Sequence, residues 1–408
     1  MRIIDGGITA AKGFFAAGAH IGIKKIKKDL SLLYSEKPAV VAGMFTQNIV
    51  KAAPIIRNEQ IVKSGKRIKG LVTISGNANA CTGEQGILDN QKMANMYAEM
   101  LQVNAEEVLT AATGIIGKKM PMDVIENGIR QITPLLKRDR ESSREAARGI
   151  ITTDTFLKEV AVELEIGGKT VTIGAMAKGS GMIHPNMATV LAFLATDVAI
   201  SQELLQKALA DAVDITYNMI SVDGAVSTND MALLFANGMA ENEPITEDSE
   251  DYSKLKDAIL YINQKLAIQV IHDGEGASKL IAAAVTGAKT KQDARKLAKA
   301  IINDNLVKTA MYGEDANWGR ILAAMGGSGG FFNPERVDIA FQNEKGYLAL
   351  MEQGRPIVFD EGKALDILAE RDIIIHITLY DGEQEAIAWG CDLGHEYIRI
   401  NGEYRLRT

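Results

Sequence analysis

Short apolar runs ending in glycine, asparagine or aspartate recur at residues 39–45, 71–74, 190–194 and 373–379. Their length and punctuation predict buried strands. Between them the apolar positions take a helical period, at residues 90–103, 201–213 and 292–303. In the second of these, Leu204, Leu205, Ala208, Leu209 and Val213 form one stripe that must be buried, most economically against a sheet. Ser201 is placed to cap that helix, and Thr290 with Asp293 makes a near capping box for the third. Interspersed strands and helices predict an α/β fold of layered sheets and helices. The acidic stretch 241–251 reads as an exposed loop, and Gly326-Gly-Ser-Gly-Gly330 as a turn.

The chain has 408 residues, more than one core usually holds, so two domains or two large lobes are expected. No repeat and no low-complexity linker divides it. A net charge of −7 argues against nucleic-acid binding, and the one basic cluster, Lys24-Lys25-Ile-Lys27-Lys28, reads as a solvated loop or helix face. Cys81 and Cys391 form neither a disulfide framework nor a zinc pair, which suits a reducing compartment. The N-terminal residues lack the pattern of a signal peptide, and no apolar run approaches the ~18–20 residues of a membrane span. A soluble cytoplasmic protein is expected.

Several candidate chemistries fail on spacing. Gly114-Ile-Ile-Gly117-Lys118 has Ala112 and Lys119 where a phosphate loop needs Gly and Ser/Thr. Asp273-Gly-Glu-Gly276 has Lys279 at the third glycine position of a dinucleotide fingerprint. The five histidines show no metal-ligand spacing, Asp223 and Asp230 do not make a calcium loop, and no metal is expected. Ser180 near His184 lacks the elbow sequence that exposes a nucleophile. One segment stands apart: Thr189 lies between the glycine-rich loop starting at Lys178 and a continuous apolar run. A cut between Ala188 and Thr189 would give that threonine a free α-amine, whose pKa of ~7.7–8.0 lets it act as base to its own hydroxyl. On spacing alone, a β-branched residue opening a buried strand is the plainer reading.

The segment around Ala188-Thr189 resembles the self-cleavage site of the ornithine acetyltransferase family, the bifunctional glutamate N-acetyltransferases of arginine biosynthesis, with Val190 where a methionine is usual. The resemblance continues in order through Lys51-Ala-Ala-Pro54, Ser75-Gly-Asn-Ala-Asn-Ala-Cys-Thr-Gly83, Thr113-Gly-Ile-Ile-Gly117, Thr152-Thr-Asp-Thr155, Ser227-Thr-Asn-Asp230, Asp273-Gly-Glu-Gly-Ala277 and Gly313-Glu-Asp-Ala-Asn-Trp-Gly319. It implies a layered α/β architecture, with residues 1–188 and 189–408 as two associated fragments and an assembly of two of each. It also implies acetyl transfer from N2-acetyl-L-ornithine to L-glutamate, with Thr189 as nucleophile and Thr113 and Gly114 as the oxyanion hole. Thr152, Lys178, Glu275 and Asn401, together with Thr189, match substrate-binding positions. Without the resemblance, Thr113 and Gly114 read as a turn, Lys178 as a loop lysine and Glu275 as a turn carboxylate. The C-terminus departs from the family: Leu406 stands where Thr or Ser is usual, so a contact from Thr408 needs a two-residue slip, and Gly394-His395 replaces Thr-Tyr. No cofactor is implied. Whether acetyl-CoA also serves as donor stays open, as does an N-terminal-threonine aminopeptidase or amidase with water as acceptor.

Overall fold

The computed structural model describes residues 1–184 and 190–403. Among these, one sheet runs in the order Arg2–Ile4, Lys158–Ile166, Lys169–Lys178, Leu191–Thr196, Met231–Ala236, Leu30–Phe45, Ile68–Asn77 and Val108–Ile115, with Phe14–Ala19 also paired to Leu30–Phe45. A second sheet runs Arg355–Pro356, Gly346–Glu352, Val337–Asn343, Asp372–Leu379, Leu280–Ala288, Gln384–Cys391 and Ile220–Ser221. Both sheets mix parallel and antiparallel pairs.

The larger sheet doubles back on itself at Leu30–Phe45, a strand of 16 residues. Its first part pairs with Phe14–Ala19 and Ile68–Asn77, its last part pairs with Met231–Ala236, and the register breaks between Tyr34 and Ala39. Glu36, Lys37 and Pro38 at the break are exposed. Proline has no N–H to give a ladder, so it sits without cost where pairing stops. The two half-sheets then share one core, Leu33, Leu71 and Leu109 from one meeting Met176, Phe193 and Leu233 from the other. Alternation along Met231–Ala236 sends Met231, Leu233 and Phe235 into that core and Ala232, Leu234 and Ala236 into the next, as a pleated strand requires.

Helices cover the outer faces. Gly83–Leu101 and Met122–Ile132 pack on the half-sheet containing Ile68–Asn77. Gln202–Ile215 and Glu250–His272 pack on the other half, and their core continues into the second sheet and helix Lys291–Asn303. The expected α/β layering is present, with the predicted runs on strands. Ser201 caps its helix by accepting from the Leu204 N–H, and Thr290 accepts from the Asp293 N–H. Among the described residues no helix is long and apolar enough to cross a membrane.

Three expectations need correction. The 241–251 stretch is not all loop: Ser249 accepts from the Tyr252 N–H and starts the 23-residue helix Glu250–His272, whose acidic first turn suits the positive end of the helix dipole. Helix Gly83–Leu101 begins well before residue 90, because no side-chain cap marks its start. The basic cluster is a loop, as expected, with Lys25 and Lys27 exposed, but it is not wholly solvated. Lys24 is buried, its Nζ donating to the Ile151 carbonyl at 2.8 Å, and Lys27 donates to the Thr152 and Asp154 carbonyls. Burial pushes the Lys24 pKa down to about 8, with Asp29 pulling the other way.

Helix Arg140–Ile150 crosses the doubled sheet so closely that a Cβ on Gly18 would lie 1.9 Å from the Glu145 carbonyl oxygen, and one on Gly149 would lie 2.3 Å from that of Leu30. Backbone on backbone cannot give way locally. Gly18→Ala is therefore expected to destabilise the fold by about 1–3 kcal/mol, measured as a lower urea midpoint at unchanged slope; an unchanged midpoint would refute this packing.

Candidate active site

A cavity of ≈ 280 Å³ opens where several strands of the larger sheet end. Its wall takes Thr113 and Gly114 from the end of Val108–Ile115, Lys178 from the end of Lys169–Lys178, and Val190 and Leu191 from the start of Leu191–Thr196. Thr152, Thr153, Gly181, Ser227, Asp230, Glu275 and Asn401 complete its polar side. The doubling of the sheet makes this convergence possible, since Thr113 and Lys178 belong to opposite halves. The Lys178 Nζ donates to the Thr113 Oγ1 at 3.3 Å, which leaves the threonine hydroxyl hydrogen available to a further acceptor.

Gly114 holds φ +133°, and a Cβ there would fall 2.4 Å from the Gly76 carbonyl carbon. Only glycine fits this close approach. The Glu275 backbone N–H donates to the Ser180 carbonyl at 3.0 Å, and its Oε2 accepts from the Asn401 Nδ2 at 2.7 Å. Gly181 leaves the room that this carboxylate occupies, since a Cβ at 181 would lie 2.3 Å from the Glu275 Cδ.

Beneath the cavity the Lys158 ammonium is fully buried between Asp154, at 2.8 Å, and Asp273. Asp154 also accepts from the Thr152 N–H at 2.9 Å and the Gly179 N–H at 2.8 Å. Asp273 accepts from the Thr155 N–H, and its carbonyl accepts from the Ser180 hydroxyl. Burial alone would lift the Asp154 pKa, but the Lys158 and Lys178 charges and the hydrogen bonds from Lys158 and Thr152 hold it well below the usual carboxylate range.

The structure thus brings Thr113, Gly114, Thr152, Lys178, Glu275 and Asn401 into one cavity. Ala188, Thr189 and Thr408 lie outside the described residues. Thr153 lines the cavity beside Thr152, whereas Thr155 is turned to Asp273. Sequence reasoning missed Asp154, Lys158, Asn229 and Asp230. Asn229 ties the wall together, its Nδ2 donating to the Ala112 carbonyl at 2.9 Å and to that of Ala78. The block Ser227-Thr-Asn-Asp230 was the available signal for the last two. The block Lys51-Ala-Ala-Pro54 serves the same segment, because the Ala52 N–H donates to the Thr228 carbonyl and Pro54 opens the helix Ala53–Lys63.

Ser180 and His184 are not partnered: Ser180 bonds the Asp273 carbonyl, and the His184 Nδ1 meets the Ser221 Oγ at 3.1 Å. Burial and then Lys299 push the His184 pKa down to about 4, so the ring is neutral at pH 7. Among the described residues no three His, Cys, Asp or Glu side chains converge as a metal site. Cys81 and Cys391 are free thiols.

Comparison with known proteins places this geometry in context. The model of the ArgJ family matches residues 15–406. An arginine biosynthesis bifunctional protein ArgJ from Caldanaerobacter subterraneus subsp. tengcongensis is 50% identical over 405 residues, spanning 99% of this chain and 100% of that protein. One of the same name from Symbiobacterium thermophilum is 50% identical over 408 residues, spanning 99% of this chain and 100% of its own length. The crystal structure of arginine biosynthesis bifunctional protein argJ from Bacillus halodurans aligns with a TM-score of 0.45 at 41% identity, over 46% of this chain and 97% of its own.

Removing the Lys158 ammonium leaves two buried carboxylates facing each other. Lys158→Met is expected to cost about 3–5 kcal/mol. Because the folded Asp154 pKa is depressed, its contribution is complete above the unfolded value of about 4 and is lost as pH falls below it. Denaturant titrations at pH 7 and pH 3 check both points: the deficit of the variant should shrink at pH 3, and an equal deficit at both pH values would contradict the assignment.

Proposed function

The chain belongs to the ArgJ family, and on that premise we propose that it transfers acetyl from N2-acetyl-L-ornithine to L-glutamate through an acetyl ester on Thr189. The observation that carries this reading is the meeting of Thr113, Gly114, Thr152, Lys178, Glu275 and Asn401 in one cavity with Val190, the residue that follows Thr189. With Thr189 next to Val190, these matched positions would supply a nucleophile, oxyanion donors and charges for both ends of an amino acid.

Maturation uses the same groups. The Thr189 hydroxyl adds to the Ala188 carbonyl, the acyl group shifts from nitrogen to oxygen as the C–N bond breaks and the Thr189 amine is freed, and water hydrolyses the resulting ester to the Ala188 carboxylate and the Thr189 hydroxyl. That amine then serves as base for the adjacent hydroxyl. In the first half-reaction the hydroxyl attacks the acetamide carbonyl of N-acetylornithine, the C–N bond breaks, and ornithine leaves with the proton held by the amine. In the second, the glutamate α-amine attacks the acetyl ester, the C–O bond to Thr189 breaks, and N-acetylglutamate departs.

Each tetrahedral intermediate places negative charge on the former carbonyl oxygen, for which the Thr113 hydroxyl and the Gly114 backbone are the donors. Lys178 holds the Thr113 hydroxyl in place and offers its cation to the substrate α-carboxylate. Glu275, oriented by Asn401, takes the ornithine ammonium. Thr152 lines the same subsite, and Thr408 is a further substrate contact. Residues 1–188 and 189–408 are the two fragments, assembled as two of each and working in the cytoplasm without metal or cofactor. Acetyl-CoA as a second donor fits the same ester chemistry.

The intact mass of the denatured protein tests the first step. Two fragments, one beginning at Thr189, are expected, and Thr189→Ala should give a single uncut, inactive chain; an uncut variant with full activity would rule the nucleophile out. Incubation with N-acetylornithine alone should release one ornithine per site, and turnover should need glutamate. Continuous release without glutamate would instead mark an amidase.

Gly181→Ala pushes the Glu275 carboxylate off Asn401, so the KM for N-acetylornithine is expected to rise tenfold or more while thermal stability holds. Steady-state kinetics with a melting curve decide it, and an unchanged KM would detach Glu275 from the donor.

A further inference from the structure

The side chain that orients Glu275 belongs to the helix His395–Gly402, and that helix is tied to the cavity rim at a second point. The Tyr397 hydroxyl donates to the Asp223 Oδ2 at 3.2 Å. The same oxygen accepts from the Met182 N–H at 2.7 Å, and the Asp223 Oδ1 accepts from the Ile183 N–H at 2.9 Å. Gly181, Met182 and Ile183 line the cavity, as does Asn401. One carboxylate therefore fastens both the 181–183 rim and the helix that carries Asn401.

Tyr397 also acts through its main chain. Its carbonyl accepts from the Asn401 Nδ2 at 3.1 Å, and that nitrogen donates to the Glu275 Oε2 at 2.7 Å. A side-chain amide has two N–H bonds, so one is held within the helix and the other is aimed at the carboxylate. The helix sits directly on the turn that carries Glu275: Gly276 has φ +71°, and a Cβ there would lie 2.5 Å from the Tyr397 backbone nitrogen. The Glu275 N–H returns to the Ser180 carbonyl at 3.0 Å. These contacts close into a ring, from Ser180 through Glu275, Asn401, Tyr397 and Asp223 to Met182, two residues from where it began.

In such a ring, releasing one member frees the next. A shift of the helix by about 1 Å would carry the Asn401 amide out of hydrogen-bond range of Glu275. We propose that Tyr397 is a positioning residue for the donor half-reaction, its bond to Asp223 holding the helix so that Asn401 keeps Glu275 aimed at the ammonium of N2-acetyl-L-ornithine. This inference rests on the acetyl-transfer reading and gives Tyr397 and Asp223 a part in it. Glutamate has no side-chain ammonium, so the acceptor half-reaction does not draw on the ring.

Ping-pong kinetics report the two halves separately, as kcat/KM for N-acetylornithine and kcat/KM for glutamate. Tyr397→Phe removes only the hydroxyl. It is expected to lower kcat/KM for N-acetylornithine roughly tenfold, the worth of one hydrogen bond to a charged group, and to hold that for glutamate within about threefold. Asn401→Ala should give the same one-sided loss. Adding Tyr397→Phe to it should cost no more than about twofold again, because both act on Glu275 through one helix. An unchanged N-acetylornithine kcat/KM in Tyr397→Phe overturns the proposal, as do an equal loss for both substrates and losses that multiply in the double variant. Asp223→Asn breaks the same bond from its other side and is measured in parallel. If only one of these two chains folds, that one decides by the same criteria, and failure of both to fold overturns a role confined to the donor. A wild type that moves no acetyl from N-acetylornithine to glutamate would overturn the acetyl-transfer reading instead.

Discussion

The buried ammonium of Lys158 is the contact on which the cavity depends. It bridges two carboxylates that are far apart in sequence, Asp154 and Asp273. Each carboxylate in turn holds a different part of the wall: Asp154 takes the backbone of Thr152 and Gly179, and Asp273 takes Thr155 and, through its carbonyl, Ser180. Glu275 follows two residues after Asp273, and Lys178 precedes Gly179. One fully desolvated cation therefore sets the relative position of residues on three separate loops. Buried ion pairs are a poor source of net stability. Their use here is geometric, because charges in a medium of low dielectric tolerate little displacement.

A second layer of fixed backbone surrounds that triad. The basic cluster near the N-terminus clamps the 151–154 loop through its carbonyls, with Lys24 and Lys27 each reaching across from another part of the chain. Asn229 clamps the opposite wall by bonding the Ala78 and Ala112 carbonyls. The cavity is thus walled by main chain held at both sides, with the side chains of Lys178 and Glu275 in its lining. A wall fixed in this way presents its polar groups to a ligand without rearranging.

What the sequence made legible follows from range. Strands marked by short apolar runs and helices marked by Ser201 or Thr290 were visible because their signals are local. Leu30–Phe45 was legible only in its second part, since Glu36-Lys37-Pro38 reads as a break and only pairing with different partners on either side makes it one strand. Thr113, Gly114, Lys178, Glu275 and Asn401 could be singled out only through resemblance to a family; their residue types alone suggest turns and surface. The triad and Asp230 stayed hidden because burial defines them. Lys158 stands 115 residues from Asp273, and nothing in a linear reading says that a lysine and two aspartates will leave water together.

The larger sheet also interleaves residues from either side of the 188/189 junction. Leu191–Thr196 and Met231–Ala236 lie side by side between Lys169–Lys178 and Leu30–Phe45. A break in the covalent chain at that point would therefore leave two polypeptides joined by two antiparallel ladders and by two shared cores, beside a third core that lies within the first piece. Dilution would expose the apolar surface that the two pieces bury against each other in the shared cores. The covalent junction is therefore not what holds the two halves of the larger sheet together.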